Sequence, residues 1–291
     1  MMLKVFSCCA IMLLSCFSSA YSNNTLNEVG QNIGTPHEIT IAGSKGNLFA
    51  IVQYPQPDSV HSGLKCPLVI LCHGFSGQSE SPMMDILADD LLADSMAVLR
   101  FDFNGHGKSE GKFQDMTVPN EIADLKCVIN WAQHQPWVES ISLVGHSQGG
   151  VVVGMVSGEL GDKVIRAEVL MAPAAVLRDD AIRGNTMGAW YDPWNIQGDY
   201  VELPGGLKLG KNYINEALTL PIYETSRQYT GPTFIIHGTH DRVVPYTYGE
   251  RYHHEIQNSE LSLVDGDDHM FSKSMKETCA LVANWLNSIL H

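Results

Sequence analysis

The pentapeptide Gly145-His146-Ser147-Gln148-Gly149 follows the apolar run Ile141-Ser142-Leu143-Val144 and opens into Gly150-Val151-Val152-Val153-Gly154-Met155. Set between a strand and a helix, a GxSxG pattern reads as a nucleophile elbow, a sharp turn that exposes the serine hydroxyl at a strand's end. The glycines follow from that geometry, because side chains two residues to either side of the serine would collide with neighbouring backbone. The strand-turn-helix context carries this reading, and the rest of the chain is organised around it.

Short apolar runs alternate with helical patterns through most of the sequence. Glu38-Ile39-Thr40-Ile41 and Leu48-Phe49-Ala50-Ile51-Val52 read as an opening hairpin turned at Ser44-Lys45-Gly46-Asn47. The later runs are Leu68 to Cys72, Ala97 to Phe101, Ile141 to Val144, Ala167 to Met171, Thr233 to Ile236 and Leu261 to Val264. Their apolarity is continuous rather than alternating, which marks strands buried on both faces, as in a parallel sheet covered by helices. The spacing predicts helices over Met83 to Asp94, Glu121 to His134, Gln148 to Leu160, Tyr246 to Ile256 and Ser272 to Leu290. Pro173 to Gln228 breaks the alternation with a long segment carrying Gly, Pro and aromatics and at most short helices; such a length points to a functional or a disordered loop, and the aromatic content favours the first.

The 291 residues, 44% of them hydrophobic, suffice for one large domain or a domain with an insertion. A net charge of -14 argues against nucleic acid or an anionic membrane surface as the main partner and leaves a small substrate open. At the N-terminus Lys4 is the only charge before an apolar stretch from Val5 to Phe17, and Ser18-Ser19-Ala20 offers a cleavage site. Residues 1–20 therefore read as an export signal, followed by a linker over 21–35 and a domain over 36–291. Leu13-Leu14-Ser15-Cys16 resembles a bacterial lipobox, so secretion or periplasmic release competes with lipid anchoring through Cys16, the one membrane attachment expected. Outside that segment lie Cys66, Cys72, Cys127 and Cys279, with no CxxC spacing; Cys72 and Cys127 read as buried free thiols.

A serine hydroxyl needs a base to take its proton, and that base, a histidine, needs an acid to hold its tautomer. Behind an elbow of this kind the order is serine, acid, histidine. Asp241 follows the strand Thr233 to Ile236, at the sheet edge where sites are placed, and is the candidate acid. Of the histidines beyond it, His253 and His254 fall within a helix and His291 ends the chain, which leaves His269. Asp267 and Asp268, beside His269, read as turn formers or solvated charges, and Asp102 as structural. The two N–H donors for an oxyanion are expected from Gln148 and from Phe75, in the His73-Gly74-Phe75 loop after Leu68 to Cys72. No motif for a metal or cofactor survives inspection: the Gly107-Lys108-Ser109 stretch lacks the first glycine of a phosphate loop, and His253-His254 has no HExxH partner.

With these motifs, the chain resembles α/β-hydrolases of the bacterial cinnamoyl or feruloyl esterase group from about Glu38 to its end. The resemblance runs through His73-Gly74-Phe75-Ser76-Gly77, the segment Asp102 to Ser109, the elbow, Ala172-Pro173-Ala174-Ala175, His237-Gly238 to Pro245, and Asp268-His269. It implies a mostly parallel eight-stranded sheet with helices on both faces and a lid, about 173–228, inserted after the sixth strand. It also implies hydrolysis of hydroxycinnamate esters without a cofactor, the substrate being a small or plant-polysaccharide-linked aromatic ester. Asp179 to Asn185 and Gly210-Lys211-Asn212-Tyr213 resemble that group's lid, which implies that Asp180 and Tyr213 hold the phenolic end; Met187 stands where some relatives carry a polar residue. Two other readings use the same residues: an acylglycerol lipase or prolyl-oligopeptidase-type peptidase on the same scaffold, and an exported binding protein without catalysis.

Overall fold

A computed structural model describes residues 34–55 and 65–291, so the expected export signal, the lipobox cysteine and most of the linker lie outside the described residues. The chain opens with β1 (His37–Ala42), β2 (Asn47–Gln53), β3 (Cys66–Cys72), α1 (Pro82–Ala93), β4 (Ala97–Phe101), α2 (Val118–Gln133), β5 (Val138–His146), α3 (Gln148–Leu160) and β6 (Glu168–Met171). An inserted segment follows, with α4 (Val176–Arg183), β7 (Asn185–Thr186), β8 (Ala189–Trp190), β9 (Tyr200–Glu202), β10 (Lys208–Gly210), α5 (Lys211–Ala217) and α6 (Ile222–Ser226). The sheet resumes with β11 (Thr233–Gly238), α7 (Thr247–Glu255), β12 (Ser259–Val264) and α8 (Met275–Leu290).

Eight strands form one sheet in the order β1-β2-β4-β3-β5-β6-β11-β12. β2 pairs antiparallel with β1 and β4, and every other neighbour pair is parallel, giving the α/β-hydrolase fold. Its two faces separate residue by residue. In β3, Leu68, Ile70 and Cys72 enter one core with α2, α3 and Tyr252 of α7, while Val69 and Leu71 enter the other with Leu87 and Leu91 of α1 and Val282 and Leu286 of α8. Alternate side chains of one strand thus reach opposite apolar layers, which explains the unbroken apolar runs. The insertion packs Leu177, Leu209, Tyr213 and Ile214 into the first of these cores.

Two helices start three residues away from their sequence patterns. α2 starts at Val118, ahead of Glu121, because Thr117 caps it by accepting from the Asn120 N–H and Pro119 fits the first turn. α8 starts at Met275 instead of Ser272, because Asp267 and Asp268 hold residues 270–274 in a turn by accepting their N–H groups. Asp267 is buried in that role, a turn former and not a solvated charge. Cys127 is also corrected: it is a free thiol but only partly buried, since its helix turns that position toward the edge of the core, whereas Cys72 is fully buried.

Beneath α3, Glu168 of β6 is fully buried and accepts from the Thr233 hydroxyl at 2.9 Å. Burial pushes its carboxyl up to about 8, against smaller downward effects of the Ser157 and Thr233 hydroxyls. The native protein then keeps a proton that the unfolded chain releases near 4.5, so stability declines as pH rises from about 4.5 to about 8. Glu168→Gln, which retains the acceptor for Thr233, is expected to flatten the fall of Tm between pH 5 and 8 and to raise Tm at pH 8. An unchanged slope in thermal melts would contradict this.

Candidate active site

β5 ends at His146 and α3 begins at Gln148, so Ser147 alone makes the turn between them, at φ 58° and ψ -121°. A non-glycine residue there is strained and is held by its surroundings. Those surroundings leave room for no other side chains: a Cβ on Gly145 would lie 2.3 Å from the Gly149 carbonyl oxygen, and one on Gly149 would lie 2.4 Å from the carbonyl oxygens of Cys72 and His73. The loop after β3 approaches equally closely, since a Cβ on Gly74 would meet the Ser147 Cβ at 2.9 Å.

Ser147 Oγ lies 2.9 Å from His269 Nε2, and His269 Nδ1 lies 2.7 Å from Asp241 Oδ2. An ionised carboxylate only accepts, so Nδ1 carries the proton and Nε2 is left as acceptor for the serine O–H. Asp241 has no exposed side-chain surface. Its Oδ1 accepts from the Val243 and Val244 N–H groups, and Oδ2 accepts a second bond from His237 Nε2 at 3.2 Å. Burial alone would push this carboxyl up; the hydrogen bonds from His237 and His269, the charge interaction with His269 and the Val244 N–H outweigh it and hold Asp241 well below the usual carboxylate range.

Two histidines absent from the sequence reading of the site support this arrangement. His237 sits on β11, is fully buried and also donates to the Val244 carbonyl at 2.9 Å. His146, next to the serine, lies with Nε2 2.9 Å from the His269 carbonyl oxygen, so that its N–H ties the loop of His269 to the elbow. Burial, followed by the neighbouring His269 ring, pushes His146 down to about 3 and keeps it neutral. The only sequence signal for either was its place inside a motif.

Phe75 lies in a turn closed by the Gly77 N–H on the Gly74 carbonyl, with Ser76 left-handed at φ 54°. Gln148 is the first residue of α3, whose N–H has no intrahelical acceptor. The close approach of Gly74 to Ser147 brings the loop that carries Phe75 up against the elbow. Beneath them His73 accepts from the Phe103 N–H and is pushed down to about 3 by burial and then by His106. Asp102 is structural: it is buried and accepts from the N–H groups of Ser79 and Lys108.

The structure treats the two residues of the insertion differently. Tyr213 is buried on α5, and its O–H donates to Gln148 Oε1 at 2.7 Å. Asp180 on α4 is partly buried and paired with Arg183; burial raises its carboxyl, with Arg183 opposing. The two share no direct hydrogen bond, though the Asp180 charge, after burial and the charges of Glu121 and Tyr191, contributes to raising the Tyr213 hydroxyl. Met187 is half exposed in the turn between β7 and β8. Among the described residues no group of three or more His, Cys, Asp or Glu is placed to hold a metal ion, and no helix is long and apolar enough to cross a membrane.

Comparison with known proteins agrees with this architecture. Residues 65–194 match the family described as serine aminopeptidase, S33, and residues 216–288 the family described as TAP-like protein. Est1E from Butyrivibrio proteoclasticus, solved with ferulic acid bound, superposes with a TM-score of 0.80 at 31% identity over 86% of this chain and 98% of its own. The Pyrococcus furiosus esterase Pf2001, at 20% identity and a TM-score of 0.66 over 89% of this chain and 94% of its own, shares the fold. An uncharacterized 31.7 kDa Escherichia coli protein from the traX-finO intergenic region is 35% identical over 30% of this chain, and human protein ABHD12B is 26% identical over 66% of it. The matches span 31% and 51% of those two relatives' lengths. The chain belongs to the α/β-hydrolases and, within them, resembles bacterial feruloyl esterases. Its structural neighbours include serine hydrolases and esterases.

The contacts around Gly149 predict the effect of adding one methyl group. Gly149→Ala must displace the start of α3 from the end of β3, where the obstructing atoms are backbone, and is expected to cost about 2 kcal/mol or more. Urea unfolding reads this as a lowered midpoint at unchanged slope, and a midpoint equal to wild type would refute it.

Proposed function

We propose that this chain is a serine carboxylic ester hydrolase acting on hydroxycinnamate esters through an acyl-enzyme. The observation behind it is the unbroken hydrogen-bond series from Ser147 through His269 to Asp241 at the end of the sheet. In this reading His269 Nε2 takes the Ser147 proton as Oγ attacks the ester carbonyl. The charge that develops on the carbonyl oxygen is held by the N–H groups of Phe75 and Gln148. The tetrahedral intermediate collapses, His269 returns the proton to the departing alcohol, and the acyl group stays on Ser147. Water, deprotonated by His269, repeats the attack and frees the acid. Asp241 keeps Nδ1 protonated and steadies the imidazolium formed in each half-reaction. Every proton and charge is accounted for without a cofactor.

The acyl preference is assigned to the insertion, about 173–228, acting as a lid over the acyl group. Support comes from the likeness to Est1E, a protein solved with ferulic acid bound. Because the Tyr213 O–H is committed to Gln148, its oxygen is left to accept, and the ring hydroxyl of the substrate would donate to Asp180 or to that oxygen. The alcohol would be a small molecule or a plant polysaccharide met outside the cell. The N-terminal pattern supports export, with Cys16 lipidated or cleavage near Tyr21; an intact mass that shows only full-length chain in a bacterial host would contradict it.

Ser147→Ala is expected to lower kcat on methyl ferulate by about 10⁶, and His269→Ala likewise, with little further loss on combining them. Retention of a tenth of wild-type turnover would refute the assignment of Ser147. On matched methyl esters, wild type should prefer a hydroxycinnamate to unsubstituted cinnamate by about 1 to 3 kcal/mol in kcat/KM, and Asp180→Ala should lower the preference. Equal ratios in both proteins would remove the Asp180 contact from the account; exclusive cleavage of peptide amides would favour the peptidase reading.

A further inference from the structure

Gln148 does more at the elbow than contribute its backbone. Its side chain is buried and uses both ends: Oε1 accepts from the Tyr213 O–H at 2.7 Å, and Nε2 donates to Glu121 Oε2 at 2.8 Å, with Met116 Sδ at 3.6 Å. One amide therefore joins α5 of the insertion to α2 of the main domain. Glu121 is fully buried on the inner face of α2, where burial pushes its carboxyl up to about 8, the Gln148 amide opposing and Asp124 adding to the rise. It is thus an uncharged partner at neutral pH. Tyr213 also touches the other side of the site: its ring packs against Phe75 in an edge-on contact, with ring centres 5.9 Å apart. A single side chain of the insertion braces both residues whose N–H groups are assigned to the oxyanion.

We propose that Tyr213 and Glu121 are positioning residues that clamp the Gln148 side chain and so keep the first turn of α3, and with it the Gln148 N–H, aimed at the oxyanion. The assignment rests on the esterase reading and adds to it a role for Tyr213 that needs no hydroxyl on the substrate. A donor freed to move by a fraction of an ångström loses part of its transition-state contribution while ground-state binding is little altered. Gln148 N–H is also an end group of a helix whose Gly150 and Val151 N–H groups are bonded back to the Ser147 carbonyl, so a tilt of the side chain is passed to the turn that carries the serine.

The test uses the full chain and methyl cinnamate, which has no ring hydroxyl. Tyr213→Phe is expected to lower kcat about tenfold with KM within twofold of wild type. Gln148→Ala, which keeps the backbone N–H and removes the clamp, should reproduce the loss, and Tyr213→Phe added to it should do nothing more. Glu121→Gln retains an acceptor oxygen for Gln148 and should stay within threefold of wild type, whereas Glu121→Leu should fall with Tyr213→Phe. The rate of Ser147 labelling by a fluorophosphonate, which needs no ester, should drop by the same factor in Tyr213→Phe. Wild-type kcat and labelling rate in Tyr213→Phe, or full additivity with Gln148→Ala, would overturn the proposal. A wild-type protein that hydrolyses no ester, yet labels tenfold faster than Tyr213→Phe, would overturn the esterase reading and leave the clamp standing.

Discussion

The constraint on which the structure depends is the single-residue junction between β5 and α3. Ser147 holds a left-handed backbone because the strand and the helix are pinned from all sides: Gly145 against Gly149, Gly149 against the carbonyls of Cys72 and His73, and Gly74 against Ser147 itself. None of these contacts admits a methyl group. β3 and β5 are adjacent central strands, so the packing of the sheet and the placing of the serine hydroxyl are the same requirement. The strain at Ser147 is small beside the two apolar layers that fix the strands, and it is stored where the chemistry needs a projecting hydroxyl.

A second requirement is a charge kept where water does not reach. Asp241 stays ionised with no exposed side-chain surface because four donors surround its two oxygens. His237 and the Val243 and Val244 N–H groups are fixed by β11 and the turn after it, so three of the four bonds to Asp241 do not depend on His269, which comes from the loop beyond β12. His146 then fastens the backbone of that loop to the elbow. Asp241, His269 and Ser147, the proposed acid, base and nucleophile, follow the ends of the parallel strands β11, β12 and β5, all within four consecutive places of the sheet, which is why their hydrogen bonds can form without long connections.

The pattern of apolar residues made the sheet legible: six of its strands lie where the continuous runs stand in the sequence, and β1 and β2 where the opening hairpin was read. Strand order was not legible, because the burial of β3 between β4 and β5 leaves no local mark. Helix boundaries failed where side chains cap the backbone at a distance from the apolar pattern, at Thr117 and at Asp267. In the site, Ser147, Asp241 and His269 could be singled out because each sits in a short motif at a strand's end. His146 and Glu121 could not be given roles, since their hydrogen bonds join residues far apart in sequence, 123 positions for His146 and His269 and 27 for Glu121 and Gln148; the bonds of His237 are local, to Asp241 and Val244, but form only in the folded turn after β11. Asp180 and Tyr213 were visible only through resemblance, and the structure gives Tyr213 a partner in Gln148 that no pattern announces.

The central claim is that Ser147 is the nucleophile of an ester hydrolase that passes through an acyl-enzyme. The most direct measurement is acid quench of the full chain within the first turnover on methyl ferulate, followed by intact mass and peptide mapping. The account predicts a feruloyl adduct on the peptide carrying Ser147, present in wild type and absent from Ser147→Ala. Ester hydrolysis with acylation at another residue, or turnover that persists in Ser147→Ala, would contradict it.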